Sequence, residues 1–252
     1  MAEIDIRDAK TDDFATLAMI AEAGDSEADE PYLTFVQSSG SLRVAVGDGT
    51  ILGFGGVVTV GNDTAMVTDL FIAPDARGRG IGSTLLAHLL DGTDRRMTFS
   101  SKHAAALPAY TRAGMLPSWR LLYLRGRSGT QQARPNGAAE TLAAASWRSA
   151  RPELAAYYEH RGGSVGDNAA LIERDGTTFI ARLQDHRGAA AFDAVLASLP
   201  TDSMVTCCSP EHSPVAARAL ARGFEIVDHD IFCSSAGVRV DDDLHCLDPG
   251  LC

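Results

Sequence analysis

Apolar and polar residues along this chain repeat with two periods, and the switches between them mark out elements. Glu3 to Arg7 alternates and predicts a first strand. From Asp12 to Ala23 the apolar positions Phe14, Leu17, Ala18 and Ala21 fall at helical spacing, with Thr11 in the N-cap place. The acidic run Asp25 to Glu30 breaks this pattern and predicts a loop between helices. Strand character returns at Leu42 to Val46 and Thr50 to Val60, joined by the hairpin turn Gly47-Asp48-Gly49. Gly61-Asn62-Asp63 turns the chain into a strand from Thr64 to Ala73. A helix starting at Ser83 then sets Leu85, Leu86, Leu89 and Leu90 on one face, and a strand follows at Met97 to Ser100.

The pattern lapses from Gly126 to Ala138, where polar residues, Gly and Pro predict a linker. Residues 126–150 therefore separate a first region, 1–125, from a second, 151–240. The second region predicts a helix at Pro152 to Arg161 and two strands across Ala169 to Leu183, turned at Asp175-Gly176. A helix at Ala189 to Leu199, a strand at Met204 to Cys207, a helix at Pro214 to Arg222 and a strand at Val227 to Cys233 complete it. The tail, residues 241–252, is acidic, contains Pro-Gly and is expected to be loose.

Composition narrows the classes. A chain of 252 residues, 45% apolar, has room for two ordinary cores. No apolar run approaches the length of a membrane span, and the opening MAEIDIRDAK is charged where an export signal is apolar. Five cysteines, an odd number without C-x-x-C spacing, fit a reducing compartment better than a disulfide framework or a zinc site. A cytoplasmic location is the expectation, and no metal is assigned. The net charge of −11 argues against nucleic acid as partner. It suits a cationic small molecule or basic peptide, and it serves solubility equally well. Against this acidic background Arg77, Arg79, Arg95, Arg96 and Lys102 concentrate near one glycine-rich turn, which suits an anionic ligand carrying several phosphates.

That turn, Arg77-Gly78-Arg79-Gly80-Ile81-Gly82, joins a strand to a helix N-terminus, where glycines let unpaired backbone amides approach an anion. A P-loop needs a Lys-Ser/Thr pair after its last glycine, and Gly82-Ser83-Thr84 has no lysine. A dinucleotide fingerprint needs a third glycine where Ser83 stands. The remaining pattern, Arg/Gln-x-x-G-x-G/A, is met by Arg77, Gly80 and Gly82. With the strand Asp69-Leu70-Phe71-Ile72 and Pro74 before it and the paired leucines after it, the stretch Met66 to Leu90 resembles motif A of the GNAT superfamily of N-acyltransferases.

The resemblance implies an α/β chain with a GNAT-like acyl-CoA N-acyltransferase fold, a mixed central sheet flanked by helices. The spacing x-x-x-G-x-A recurs at Asp185 to Ala190. His103 stands 11 residues before Gly114, as His212 stands 11 before Gly223. Residues 151–240 thus read as a second, shorter and degenerate GNAT-like lobe, with coincidence in an Ala-rich sequence as the alternative. The resemblance implies acetyl-CoA as co-substrate, its pyrophosphate on Arg77, Gly78, Arg79, Gly80, Ile81, Gly82 and Ser83, its pantetheine along Leu70, Phe71 and Ile72. The implied reaction moves an acetyl group to a primary amine, on a small cationic molecule or a peptide, by direct attack in a ternary complex. A CoA-binding sensor or scaffold is the alternative, and homodimerisation is left open.

Such chemistry needs a proton acceptor, because an alkyl ammonium with pKa near 10.4 is neutral in only about one molecule in 2,500 at pH 7. It also needs a donor for the departing thiolate. The segment Ser101 to Met115 resembles motif B of the family and makes Tyr110 that donor, with His103 and Met115 replacing the usual Asn and Phe. Pro108 falls inside the helix that would present Tyr110 and is expected to bend its first turn. A packed core tyrosine is the rival reading. Asp69 is the first candidate to hold the ammonium or drain its proton, against an aspartate merely paired with an arginine. His103 is the second, against a helix cap. Asp25, Glu27, Asp29 and Glu30, with Tyr32 and Phe35, either line the acceptor side or form a solvated charge run. Trp119 and Tyr123 read as core strand residues.

Overall fold

The computed structural model describes residues 4–61, 63–129 and 146–251. Most of the expected linker, residues 130–145, lies outside these, as does Asn62 of the expected turn. The described chain forms two compact units, Met1–Ser118 with Ile231–Arg239, and Trp119–Asp230 with Val240–Leu251.

In the first unit β1 (Ile4–Asp8), β2 (Gly40–Gly47), β3 (Thr50–Val60) and β4 (Thr64–Ile72) are antiparallel neighbours. The two-residue turn between β2 and β3 uses Asp48 and Gly49, both with positive φ, as hairpin twist requires. β5 (Arg96–Ser100) then lies parallel to β4. Helices α1 (Phe14–Glu22), α2 (Glu30–Ser39), α3 (Ile81–Leu89) and α4 (Ala106–Arg112) flank this sheet. Thr11 is not the cap expected of it. A 3-10 turn covers Thr11–Asp13, and the Asp13 carboxylate accepts from the Lys10 amide at 2.7 Å and from Arg7 at 2.7 and 2.9 Å. The acidic run is not all loop either: Asp29 caps α2, its Oδ1 accepting from the Tyr32 amide at 3.1 Å, and Glu30 opens the helix.

The second unit starts within β6 (Leu116–Arg127), which pairs antiparallel with β10 (Met204–Pro210) from Leu121 to Arg127. β10 runs parallel to β9 (Thr177–Gln184), and β9 is antiparallel to β8 (Ala169–Arg174), which pairs with the short β7 (Ser164–Val165). Its helices are α5 (Trp147–Ala150), α6 (Pro152–His160), α7 (Ala189–Ser198) and α8 (Pro214–Ala221); α6 packs on β7 and β8, α8 on β10, α5 against α6 and α7 against α8. Gly126 and Arg127 therefore belong to a strand rather than to the linker. A Cβ on Gly126 would lie 2.3 Å from the Phe224 ring, so its glycine serves packing, not flexibility. β11 (Glu225–Ser234) begins in this unit and ends in the first, where Ile231 to Ser234 pair antiparallel with β5. The tail is not loose: Leu244–Leu247 forms β12, buried and paired with β9.

Each unit has its own core. In the first, Leu85, Leu86, Leu89, Val57, Val67, Met115 and Cys233 cluster on one face of the sheet. In the second, Leu124, Ile180, Phe192, Leu196, Val205, Phe224 and Cys246 do so.

Asp185, at the end of β9, is the ion-pair residue with the clearest pH signature. Arg187 donates to its carboxylate at 2.6 Å, which holds Asp185 down at about 2. Its folded-state value lies below its unfolded one, so its stabilisation is complete above about pH 4 and is lost as pH falls toward 2. The shift is worth about 2 kcal/mol, trimmed to about 1 by solvent access to Arg187. Asp185→Asn is expected to lower the urea midpoint at pH 6 and to lower it by only about a third as much at pH 2.5, where the folded carboxylate is partly protonated. Equal losses at both values would refute the ion-pair account.

Candidate active site

The site grows from a break in pairing along β4. This strand keeps β3 beside it to its end, through Gly53↔Ile72, but pairs with β5 only at Ala65, Met66 and Val67. Thr98 closes that ladder by donating its hydroxyl to the Val67 carbonyl at 3.0 Å. Among the described residues no strand pairs with the far edge of Leu70 to Ile72. Such an edge accepts an extended ligand as an added strand.

A β-bulge precedes the open edge. Val57 faces Val67 and Gly56 faces Asp69, which leaves Thr68 as the extra residue. One extra residue reverses the alternation of faces. Val67, Leu70 and Ile72 consequently pack with the α3 cluster. Phe71 goes to the other face, 5.5 Å from the Phe54 ring and against Gly24 after α1. Asp69 goes there too, in the pairing of faces expected from alternation, and is 6% exposed. Its Oδ2 accepts from the Tyr32 hydroxyl at 2.7 Å and from Thr68 Oγ1 at 2.8 Å. A Cβ on Gly56 would stand 2.5 Å from Thr68 Oγ1 and 3.1 Å from Asp69 Oδ2, so the bare glycine makes room for this cluster. Tyr32 carried a sequence signal as an aromatic beside the acidic run. Thr68 and Gly56 carried none, because a bulge depends on the register of two strands.

After β4 a 3-10 turn, Pro74–Ala76, leads into the glycine-rich loop. Gly78 and Gly80 have φ of 75° and 82°, left-handed values that favour glycine. Gly80 is the N-cap residue of α3, and buried Ile81 anchors the helix start against Ala45 and Ala76. No hydrogen bond among the described residues uses the amides from Gly78 to Ser83 as donors. Arg77 turns back and donates Nε to the Ile72 carbonyl at 3.0 Å, tying the loop to the end of the open edge. Arg79 and Ser83 are exposed beside the amides. A Cβ on Gly82 would meet Ile72 at 3.5 Å, an ordinary contact, so internal packing does not demand its glycine.

On the α3 face, Tyr110 is 7% exposed and packs with Leu85, Leu86, Val67 and Met115. The expected disruption by Pro108 is avoided by its position. α4 starts at Ala106, so Pro108 is its third residue, where an N–H has no intrahelical partner to lose. The first bond of the i→i−4 kind is made by the next residue, Ala109 to Ala105, at 3.2 Å. His103 is exposed, and its Nδ1 accepts from the Ala105 amide at 3.3 Å; Ala105, not His103, is the N-cap residue of α4. Asp69 and Tyr110 thus lie on opposite faces of the sheet. Trp119 is half-buried with its ring edge-on to His212 at 5.1 Å, and Tyr123 donates to Asp230 at 2.8 Å. Burial raises the Tyr123 hydroxyl far above its ordinary value. Among the described residues no group of three His, Cys, Asp or Glu side chains is placed to hold a metal, and no helix is long and apolar enough to cross a membrane.

The first unit is thus an α/β fold, a mixed sheet flanked by helices whose parallel strand pair opens beside a glycine-rich turn. Residues 5–115 match the model of the Acetyltransferase (GNAT) family. Solved structures share the fold over nearly the whole chain. An acetyltransferase candidate from Pyrococcus horikoshii has a TM-score of 0.71 at 16% identity, covering 98% of this chain and 95% of its own. A tandem GNAT protein from the clavulanic acid biosynthesis pathway has a TM-score of 0.63 at 16% identity, with 95% and 100% covered. A GCN5-related N-acetyltransferase from Anabaena variabilis has a TM-score of 0.60 at 13% identity, with 92% and 72% covered. At these identities the likeness is one of fold. No curated protein matches the chain significantly.

Proposed function

We propose that the chain is an acetyl-CoA-dependent N-acetyltransferase of tandem GNAT architecture, active in its first unit and acting on a cationic primary amine. One observation carries this reading. The first unit sets side by side the amides from Gly78 to Ser83, which donate to no group among the described residues, and the edge of β4 at Leu70 and Phe71, which no described strand covers. The turn suits a diphosphate, with Arg79 adding charge and the α3 dipole adding field. The edge, with Leu70, Phe71 and Ile72, suits the amide-bearing pantetheine arm, and bare Gly82 lets a ligand approach closely. Acetyl-CoA supplies the thioester carbonyl that an amine attacks.

The chain's own groups divide the remaining work. Asp69, held by Tyr32 and Thr68, receives the ammonium on one face and passes its proton to water. Tyr110, on the other face, donates a proton to the thiolate as it leaves. His103, exposed ahead of α4, is the second group available to take the ammonium proton. The tandem reading is supported by a repeat of register: β9 has its own extra residue, Ala181, between the pairs Leu171↔Ile180 and Ala170↔Arg182.

Calorimetry with acetyl-CoA and thiol release with a panel of amines test the proposal together. Binding with turnover of a small cationic amine is the expected result. Absence of heat with a folded sample overturns the acyl-CoA assignment, and binding without any acceptor favours a sensor. Tyr32→Phe removes one donor from Asp69 and keeps the ring. It is expected to raise the acceptor KM about fivefold, the effect of roughly 1 kcal/mol, without changing acetyl-CoA affinity. An unchanged acceptor KM would detach Asp69 from substrate binding.

A further inference from the structure

The second unit repeats the layout of the first, yet fills it differently. β9 and β10 run parallel only as far as Ile180↔Cys207, as β4 and β5 do to Val67↔Thr98. Past that point β9 keeps β8 on one side, through Ala170↔Arg182 and Ala169↔Leu183. Its other edge is taken by β12, antiparallel, through Leu247↔Arg182, Cys246↔Leu183 and Leu244↔Gln184. The added strand is well seated. Leu244, Cys246 and Leu247 are at most 4% exposed, and Cys246 joins the core with Cys207 of β10.

The turn before α7 is filled as well. Gly188 caps α7 as Gly80 caps α3. Here the Arg187 amide donates to the Asp185 carboxylate at 2.8 Å, Gly188 to the Asp185 carbonyl at 2.9 Å, and Ala190 to the Arg187 carbonyl at 3.1 Å. Asp185, 5% exposed, brings an internal anion to the place where the first unit offers free amides. His245 of β12 fastens the strand to this turn. Its Nε2 donates to the Asp185 carbonyl at 3.0 Å, while Nδ1 accepts from the Ser213 hydroxyl at 3.1 Å. At the position matching Asp69 by register stands Arg182, buried over the Trp147 ring at 5.2 Å. The anionic anchor proposed for an amine is replaced by a cation.

We infer that β12 is a built-in occupant of the second unit. Residues Leu244 to Leu247 lie where an extended ligand would add to β9, Asp185 and His245 close the adjoining turn, and the chain takes up one acyl-CoA, in its first unit. The count of one rests on the function proposed above, whereas the occupancy by β12 does not.

Two measurements on the full chain test this. Ser83→Glu sets a carboxylate among the amides of the first turn of α3, at an exposed position where Glu also suits a helix start. Coenzyme A titrated into the unaltered chain should bind one per chain, and Ser83→Glu should weaken that binding at least about a hundredfold. Hydrogen exchange of peptides covering Leu244 to Leu247 should be slow, equally with and without coenzyme A. Two coenzyme A molecules per chain, strong binding retained by Ser83→Glu, or fast exchange at these residues would each overturn the inference. If the unaltered chain binds no coenzyme A while these amides stay protected, the reading of the first unit falls and the occupancy by β12 stands.

Discussion

Tyr110→Phe is expected to lower kcat for amine acetylation about a hundredfold or more while changing acetyl-CoA affinity less than twofold. The size follows from the role. A positioned proton donor to a leaving group contributes about 10² to 10⁴ in rate. The split follows from the geometry. The Tyr110 ring packs between α3 and the sheet and is 7% exposed, so Phe keeps the packing and removes only the hydroxyl. The glycine-rich turn, Gly78 to Ser83, belongs to another segment and is untouched. Single-turnover thiol release at saturating acetyl-CoA, with calorimetry alongside, separates the two quantities. A variant that turns over normally would leave Tyr110 as a packing residue and assign the proton to water.

The second large effect concerns folding. A chain cut after residue 125, at the boundary suggested by the linker composition, is expected not to fold. β5 would lose Ile231 to Ser234, the strand that pairs along its edge. Phe232, which meets Phe99 at 5.4 Å and is 2% exposed, would be lost with it, as would fully buried Cys233. The bond from the Arg96 amide to Ser235 Oγ at 2.9 Å would go too. Residues Leu121 to Leu124 of β6, which pair with β10, would hang unpaired. Burying one large apolar side chain is worth roughly 1.5–3 kcal/mol. Losing several, with a ladder, approaches the whole stability of a domain, about 5–15 kcal/mol. Circular dichroism and size exclusion of the 1–125 chain read the outcome. A monomer with a sharp thermal transition would show that the exchanged strands are dispensable.

Much of the candidate site was legible along the chain because it is local. The glycines of the turn, the leucines of α3 and the strand before them fall within one stretch, and their spacing expresses period-two and helical geometry directly. The faces of Asp69 and Phe71 against Leu70 and Ile72 followed from alternation for the same reason. Pro108 misled because its effect depends on where α4 starts, and a shift of two or three residues turns a break into a tolerated first-turn proline. The expected loop from Asp25 to Glu30 misled in a related way, since an acidic residue before an apolar run serves as a cap as readily as it faces water.

The sequence by itself determined most strands of the first unit, the glycine-rich turn and the helix after it, because hydrophobic period, glycine φ and helix-start chemistry act between near neighbours. Only the tertiary structure decided that Thr68 is a bulge, that Tyr32 holds Asp69 from 37 residues away, that the end of β11 completes the sheet of the first unit, and that β12 fills the open edge of the second. Strand register and partner choice carry no local periodicity. They are settled by which edges and apolar faces remain uncovered once the chain has collapsed, a competition among distant segments that no window of sequence contains.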